Sequence, residues 1–204
     1  MTLRMTSDER RAAIVQSAIR LFAEKGFRGT TTRELASAVG VTEPVLYRHF
    51  RTKRDLYSAI IEARSGEAAE RATELRELAA QGDDRAFFSR LAELILQRYE
   101  KDPATTRLLL FSCLEKHELS ELFFERLVKD FYQLVSTHIR GRVRAGAFRS
   151  VDPDIAARAM IGMVAYEGLM GLLFPGSRKK ASHKKVVREM VTLFLSGILA
   201  PERR

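Results

Sequence analysis

Residues able to contact a nucleic acid are grouped in one short segment of the sequence, just after Thr42. A helix that begins there would direct its first-turn side chains at whatever faces its N-terminus. If that helix entered the major groove of DNA, Glu43, Pro44, Val45 and Arg48 would lie near base edges. Pro44 and Val45 suit thymine methyl groups, whereas Glu43 could accept a hydrogen bond from a cytosine amine or repel phosphates. The segment therefore predicts sequence recognition that is partly apolar.

The charge of the chain points to an anionic partner. The 204 residues include 35 Lys and Arg against 26 Asp and Glu, which gives a net charge of +9 and an isoelectric point near 10.0. The first 60 residues are the most cationic part, with eleven basic residues against six acidic ones. Because a basic surface attracts polyanions, the sequence indicates nucleic acid or an acidic membrane surface as the partner.

Motifs typical of enzymes are missing from the sequence. It contains no Gly-x-Ser-x-Gly, no P-loop and no His-Glu-x-x-His motif, because His117 and Glu118 are followed at position 121 by glutamate. Cys113, His117 and Glu121 could share a helix face as part of a metal site, but a buried structural cysteine beside an exposed histidine is the favoured interpretation. We therefore expect no catalytic residues, no metal and no cofactor.

The compartment is inferred from cysteine use and from the N-terminus. A single cysteine, Cys113, cannot form an intrachain disulfide, which fits a reducing environment. Charged residues at positions 8–11 precede any apolar run that could form a secretory signal. We expect a cytoplasmic protein.

The helices that must position the segment are marked by capping boxes and glycines. Thr6 with Glu9 and Thr31 with Glu34 each match the motif of a helix start, in which a threonine is followed three residues later by glutamate. Gly26 is expected to end the first helix, since glycine is common just beyond a helix C-terminus. The first two helices are thus bounded by local signals.

Two short helices meet at the segment itself. One is expected to end at Gly40, and Thr42 can cap the next, which runs to Phe50. Short helices joined in this way form a helix-turn-helix. A longer fourth helix is expected from near Thr52 toward Gly82, because its apolar residues recur at helical spacing.

The fold class predicted for the whole chain is all-α, because no run of residues shows the alternation of a strand. About nine helices are expected, arranged as a three-helix helix-turn-helix domain at residues 1–52 and a C-terminal helical bundle at residues 53–204. The helices of the bundle, beyond the fourth, are expected at residues 84–100, 103–115, 119–146, 153–174 and 183–199.

Residues 30–56, TTTRELASAVGVTEPVLYRHFRTKRDL, resemble the DNA-binding domain of the tetracycline-repressor-like (TetR) family of bacterial transcriptional regulators. The resemblance is close over about residues 8–60, and beyond them it extends only to length and helix order. It implies a homodimer that binds a double-stranded DNA operator, with a variable C-terminal domain that binds a small-molecule effector and forms the dimer.

The resemblance also assigns contacts with the DNA backbone. It implies that phosphates are held by Thr42, Tyr47, His49 and Lys53, together with Thr31 at the start of the preceding helix. Arg33, in the first turn after Thr31, could reach either a phosphate or a guanine. Leu46 and Phe50 are expected to face inward as core.

The effector site is less clearly marked, because apolar residues at helical spacing are first of all core residues. Glu167 lies in an apolar helix, where a carboxylate must find a cation in the protein, the partner subunit or a ligand. The predicted ligand is mostly apolar, and aromatic or cationic in character. Its predicted lining residues are Phe88, Leu91, Tyr99, Phe111, Tyr132 and Glu167.

The last two helices are expected to form the dimer interface as a two-fold four-helix bundle. Small residues at Gly162, Ala165 and Gly168 would allow close helix approach, and the final helix has a broad apolar surface. The predicted contacts on that final helix are Val187, Val191, Phe194, Leu195 and Ile198. The apolar run at residues 161–174 is too short for a membrane span, so a buried helix and no membrane partner are predicted.

The function predicted from these observations is a dimeric transcriptional repressor that binds a pseudo-palindromic operator and is released by its effector. One alternative is a DNA-binding protein of the same fold that has no effector and acts in DNA organisation or cell division. A more distant alternative is a helical enzyme or membrane-surface protein with a basic N-terminal bundle.

Overall fold

Helices make up the regular structure of this computed structural model, which describes residues 5–115, 119–176 and 182–200. Within those ranges, extended pairing is limited to one antiparallel bridge between Phe148 and Leu199. The same ranges contain nine helical elements when the three consecutive segments at residues 119–144 are counted as one. The predicted all-α class and helix number are confirmed.

The first four helices begin where the sequence predicts. They are α1 (Ser7–Gly29), α2 (Thr32–Ala38), α3 (Glu43–His49) and α4 (Lys53–Gln81). Both capping boxes form, at Thr6 with Glu9 and at Thr31 with Glu34, so side-chain bonds to free backbone amides fix these two starts. Gly26 has a φ of 72° and kinks α1 instead of ending it, because a further helical turn follows the kink.

The start of α4 is fixed by a reciprocal pair of bonds. The Thr52 amide donates to Asp55 Oδ2 at 3.0 Å, and the Asp55 amide donates to Thr52 Oγ1 at 3.0 Å. The helix ends just before Gly82, whose φ of 74° lies in the left-handed region. The predicted limits of the long helix are therefore confirmed.

The remaining helical elements include one irregularity that the sequence does not mark. The single helix predicted at residues 119–146 is interrupted by a π-helical turn, which adds a residue to one turn and contains no glycine or proline. The elements are α5 (Asp84–Lys101), α6 (Pro103–Leu114), α7 (Leu119–Phe123), the π turn (Phe124–Val128), α8 (Lys129–Arg144), α9 (Pro153–Leu173) and α10 (His183–Ile198).

Two compact units are formed by these elements. The first consists of Met1–Gly66 with Ala104–Leu127, and the second of Glu67–Pro103 with Val128–Arg204. Helix α4 therefore supplies residues to both units, whereas α6 belongs to the first unit apart from Pro103. The largest fully buried side chains of the first unit are those of Ile14, Phe22, Leu35, Leu56, Tyr57, Ile60, Ile61 and Leu108.

In the second unit, α5 packs against α9 and α10, and α8 packs against α9. A partly buried polar cluster accompanies this packing: His138 Nε2 lies 2.9 Å from Asp84 Oδ1, and Arg142 Nε donates to Asp84 Oδ2 at 2.9 Å. The His138 ring stacks on Phe87 with 4.1 Å between ring centroids. Burial lowers the pKa of His138, so the neutral imidazole is favoured. The cluster joins the start of α5 to α8.

Helix α9 is long and apolar enough to cross a membrane by length and composition, with a mean hydropathy of 1.3, although only 22% of that stretch is buried in the chain. The prediction of a buried helix therefore holds for one face alone. Ala157, Met160 and Val164 are buried, whereas Ile155 is 58% exposed and Tyr166 63%. Soluble proteins also carry such helices where a second surface covers the exposed face.

Candidate nucleic-acid interface

The helix-turn-helix consists of α2 and α3, which pack on each other. Leu35, Ala36 and Leu46 are buried between them and the rest of the first unit. The connection turns at Gly40, whose φ of 69° lies in the left-handed region that glycine adopts without strain. The Val41 amide then donates to the carbonyl of Ala36 at 3.0 Å and closes the turn. The arrangement leaves one side of α3 uncovered.

The uncovered side of α3 carries most of the residues predicted to contact DNA. Pro44 and Arg48 are exposed, and Tyr47 is 45% exposed. Val45 and His49 are half-buried beside them. Arg33 of α2 is exposed as well. An outward face that combines cations, a phenol and small apolar groups has the composition that direct base and phosphate contacts need.

Thr42 occupies the residue before α3, as predicted, but its side chain makes no capping hydrogen bond. Its backbone is extended, with φ of −86° and ψ of 156°, and Pro44 lies in the first turn. Thr42 is thus the N-cap residue of α3, as predicted, but extended backbone and a first-turn proline define this start without a bond from its side chain. The Thr42 side chain is exposed at the edge of the outward face.

Thr31 is held by its own capping box. Its hydroxyl donates to Glu34 Oε2 at 2.9 Å and accepts from the Glu34 amide at 3.2 Å. Lys25 Nζ binds the other carboxylate oxygen of Glu34 at 2.5 Å. The bond from Lys25, together with those from Thr31, lowers the pKa of Glu34 to about 2. The Glu34 carboxylate is therefore held in place at the start of α2 by Thr31 and Lys25.

A second acidic residue, Glu43, is bound across the turn in a way that the sequence did not suggest. The Thr32 hydroxyl donates to Glu43 Oε2 at 2.8 Å, and the Tyr47 hydroxyl donates to Thr32 Oγ1 at 3.4 Å. The three side chains therefore form a chain of hydrogen bonds from α3 to α2 and back to α3. Thr32 was not among the predicted residues, since no local motif relates positions eleven apart across a turn.

Lys53, predicted to hold a phosphate, points back into the first unit. Its ammonium donates to the carbonyls of Phe27 at 2.5 Å and of Thr30 at 2.9 Å, and it lies 4.3 Å from the centre of the Phe27 ring. Burial lowers the pKa of Lys53. Since an ammonium has three N–H groups, one remains after these two bonds.

The residues predicted to line an effector site are distributed between the two units. Phe88 and Leu91 are fully buried in the core of the second unit, and Tyr99 lies against the backbone of Gly168. Tyr132 and Glu167 are half-buried there. Phe111 belongs to the first unit and is 36% exposed.

Most residues predicted for the dimer interface are buried in the chain's own core. Gly168, Val187, Val191, Leu195 and Ile198 are buried there, so they are not available to a second chain. Phe194 packs on the Phe88 ring, with 4.9 Å between centroids. Gly162 is exposed and Ala165 is half-buried. The faces of α9 and α10 that remain uncovered are the opposite ones.

The possible partial metal site does not gain support. Cys113 is exposed, contrary to the expectation of a buried structural thiol, because it lies on the outer side of α6. His117 lies outside the described residues. Among the residues that are described, no group of three His, Cys, Asp or Glu side chains could hold a metal ion.

Comparison with known proteins places this geometry in a family. The sequence model of the family described as bacterial regulatory proteins, tetR family, matches residues 14–60. The sequence model of the AefR-like transcriptional repressor C-terminal domain matches residues 85–197. The nucleoid occlusion factor SlmA of Marinobacter nauticus is 31% identical over 140 residues, 69% of either chain. The transcriptional repressor KstR2 of Rhodococcus jostii is 30% identical over 155 residues, 73% of either chain.

Solved structures agree on the fold. The crystal structure of AibR in complex with isovaleryl coenzyme A and operator DNA matches with a TM-score of 0.71 at 20% identity, over 90% of this chain and 97% of that one. Both halves of the chain, the helix-turn-helix and the helical domain after it, thus match one group of proteins. The chain belongs to the TetR family and is a DNA-binding transcriptional regulator of that family.

Proposed function

We propose that this regulator is a repressor that binds a pseudo-palindromic operator as a homodimer and leaves it when a small effector binds. The observation that carries the proposal is the outward face of α3, where Pro44, Tyr47 and Arg48 are exposed on a helix-turn-helix. Repression is supported by the AefR-like repressor model over residues 85–197 and by the repressor KstR2 among the relatives.

The contacts proposed on DNA follow from these exposures. Val45, Pro44 and Arg48 face the major groove, so they read thymine methyl groups and guanine or phosphate oxygens. Thr42 donates its hydroxyl hydrogen to a phosphate, and His49 donates from its ring. Tyr47 has a single hydroxyl hydrogen, so on DNA it exchanges its 3.4 Å bond to Thr32 for a bond to a phosphate oxygen. Arg33 on α2 adds a cation at the edge of the same face.

Selection of binding sites from random duplex DNA tests the proposal. The full chain should enrich one sequence composed of two inverted half-sites whose centres are about one helical turn, ~34–36 Å, or somewhat more apart. Arg48→Ala should weaken binding, and it should reduce the slope of log affinity against log salt by about one if the guanidinium neutralises a phosphate. Val45→Ala should instead change the enriched sequence. Failure of the wild-type chain to enrich any sequence would refute operator binding.

Dimerisation is proposed through the uncovered faces of α9 and α10. Ile155 and Tyr166 are 58% and 63% exposed on α9, and Leu193 is 68% exposed on α10. Exposed Gly162 would permit close helix approach at the same face. Apolar side chains this exposed on the outward sides of two neighbouring helices support an association surface there.

Sedimentation velocity of the full chain at micromolar concentration tests the interface. The wild type should sediment as a dimer, and Leu193→Glu should give a folded monomer that loses most operator affinity, because two half-sites then bind separately. Phe124→Glu is the matched control: Phe124 is also exposed, at 48%, but lies in the first unit. A monomeric wild type would refute the proposed dimer.

An effector is proposed to bind in the second unit and to act through α4, which supplies residues to both units. AibR, of the same fold, is known in complex with both isovaleryl coenzyme A and operator DNA. A mostly apolar ligand beside Tyr99, Tyr132 and Glu167 fits the half-buried positions of these residues. Linkage requires that such a ligand weaken operator affinity by the factor by which operator weakens ligand affinity.

Fluorescence anisotropy of a labelled operator, titrated with acyl coenzyme A thioesters, tests for such an effector. A ligand that binds the chain but leaves operator affinity unchanged would refute the coupling. The effector-free alternative is favoured by one observation, the 31% identity to a nucleoid occlusion factor. It predicts many genomic sites spread over the chromosome, whereas a repressor with an effector predicts a few sites at promoters.

A further inference from the structure

The two acidic side chains of the helix-turn-helix are both bound internally. Residues 31–50 contain two carboxylates, those of Glu34 and Glu43. Glu34 is held by Lys25 and by the Thr31 amide, and Glu43 by the Thr32 hydroxyl. Carboxylates turned toward the DNA would repel phosphates. Their internal bonds leave the cationic side chains as the charges that point outward.

Glu43 stands at the first position of α3, where a carboxylate is also favoured by the positive end of the helix. Its partner Thr32 belongs to the first turn of α2, so the 2.8 Å bond connects the starts of the two helices of the motif. The angle between α2 and α3 determines how deeply α3 can enter a groove. A bond at this place constrains that angle directly.

Tyr47 extends the same connection. It lies four residues after Glu43, on the same side of α3, and its hydroxyl donates to Thr32 Oγ1 at 3.4 Å. Because the Thr32 hydroxyl gives its hydrogen to Glu43, its lone pair is free to accept from Tyr47. Glu43 therefore acts on the orientation of the Tyr47 phenol through Thr32.

We propose that Glu43 is a positioning residue, which locks the start of α3 to α2 through Thr32 and presets Tyr47, and that it does not read a base. The inference rests on the proposed function, in which α3 enters the major groove. It differs from base reading in what it predicts: removal of the Thr32 bond changes affinity on every sequence, whereas removal of a base contact changes preference at one base pair.

The test selects binding sites from random duplex DNA with the full-length wild type and with Glu43→Gln, Glu43→Ala, Thr32→Val and Thr32→Ser. All four variants should enrich the wild-type sequence. Glu43→Ala should bind it roughly tenfold more weakly than Glu43→Gln, because the amide oxygen of glutamine still accepts from Thr32. Both variants lack the negative charge of Glu43, so its repulsion of phosphates does not contribute to the difference in affinity between them.

Thr32 supplies the second arm. Thr32→Val should weaken binding by roughly the same factor as Glu43→Ala does relative to Glu43→Gln, whereas Thr32→Ser keeps the hydroxyl and should bind nearly as the wild type does. The double variant Thr32→Val with Glu43→Ala should bind no more weakly than the weaker single variant, because both changes remove the same Thr32–Glu43 bond and Thr32→Val by itself already removes the bond from Tyr47. Circular dichroism at the assay temperature verifies that each variant is folded.

Two results would overturn the proposal. One is a changed base preference with Glu43→Gln or Glu43→Ala but not with Thr32→Val, which is the behaviour of a base-reading carboxylate. The other is multiplication of the two single effects in the double variant. Should a variant lose its fold, the isosteric Glu43→Gln still decides the question of base preference. Absence of any enriched sequence with the wild type would instead refute operator binding, and the inference with it.

Discussion

The Tyr57 hydroxyl of α4 lies 2.7 Å from Ser112 Oγ of α6, and both groups are buried. Ser112 also donates to the carbonyl of Leu108 at 3.0 Å, so the phenol is the donor in the bond between the two side chains. Burial raises the pKa of Tyr57, which keeps the phenol protonated. Within the first unit, this bond ties α6 to the helix that directly follows the helix-turn-helix.

Because the Tyr57 hydroxyl is the donor, removal of the Ser112 hydroxyl and removal of the Tyr57 hydroxyl should lower the free energy of unfolding by different amounts. Ser112→Ala should lower the free energy of unfolding by about 1–3 kcal/mol, because it leaves the buried Tyr57 hydroxyl without a partner. Tyr57→Phe should cost only about 1 kcal/mol, since Ser112 keeps its bond to Leu108. Urea denaturation of the full chain measures both. An equal or reversed order of the two variants would contradict the assigned donor.

The sequence predicted the features of the site that depend on neighbours along the chain. Capping boxes at Thr6 and Thr31 join residues three apart, and the left-handed turn at Gly40 depends on the glycine alone. Each of these features can therefore be recognised from a few consecutive residues of the sequence. The bond from Thr32 to Glu43 spans eleven residues and depends on how α2 packs on α3. Local patterns carry no information on such a pair.

The same reason explains why the outward side of α9 could not be predicted from the sequence. Apolar residues occupy all sides of α9, so its sequence shows no difference between the side that faces the core and the side that faces outward. On α10 the apolar residues form one broad stripe, most of which is buried or half-buried. Val187 and Leu195 turn inward in the structure, whereas Leu193 and Tyr166 turn outward. On α9 the packing against α5 and α8 makes that distinction, and on α10 the packing against α5 does.

Gly168 provides a test of close packing inside the second unit. A β-carbon at this position would overlap the ring of Tyr99. Gly168→Ala should therefore destabilise the chain by about 1–3 kcal/mol, although alanine favours helices more than glycine does. Gly141→Ala is the matched control: Gly141 is exposed in α8 and a β-carbon there meets nothing within 4 Å. The control should stabilise slightly, and thermal unfolding compares the two. Stabilisation by both variants would show that the ring can move aside at no cost.

Glu34 predicts an acid-dependent part of the stability of the first unit. Its folded pKa of about 2 lies below the ordinary value of 4.5, so its bonds stabilise the fold above about pH 4.5 and are lost as the pH falls toward 2. Because the carboxylate is a surface group, the effect is modest and weakens with salt. Glu34→Gln should show a smaller drop in melting temperature between about pH 5 and about pH 3 than the wild type.

Lys25 provides the control for that experiment, since its bond is the largest cause of the lowered pKa of Glu34. Lys25→Met should reduce the acid-induced drop in the same direction. Glu9 and Asp152 also have lowered pKa values, so part of the drop should remain in both variants. A wild-type-sized drop in Glu34→Gln would contradict the role assigned to this carboxylate.

Lys53 and Tyr47 separate stability from DNA binding. Lys53→Met removes the bonds to the carbonyls of Phe27 and Thr30, so it should lower the melting temperature. If the third N–H group holds a phosphate, the variant should also bind the operator more weakly, with a salt slope reduced by about one. Tyr47→Phe loses only a 3.4 Å bond at an exposed position, so it should weaken operator binding without changing the melting temperature or the salt slope. A Lys53→Met variant with lower stability but an unchanged salt slope would show that Lys53 stabilises the end of α1 and does not contact a phosphate.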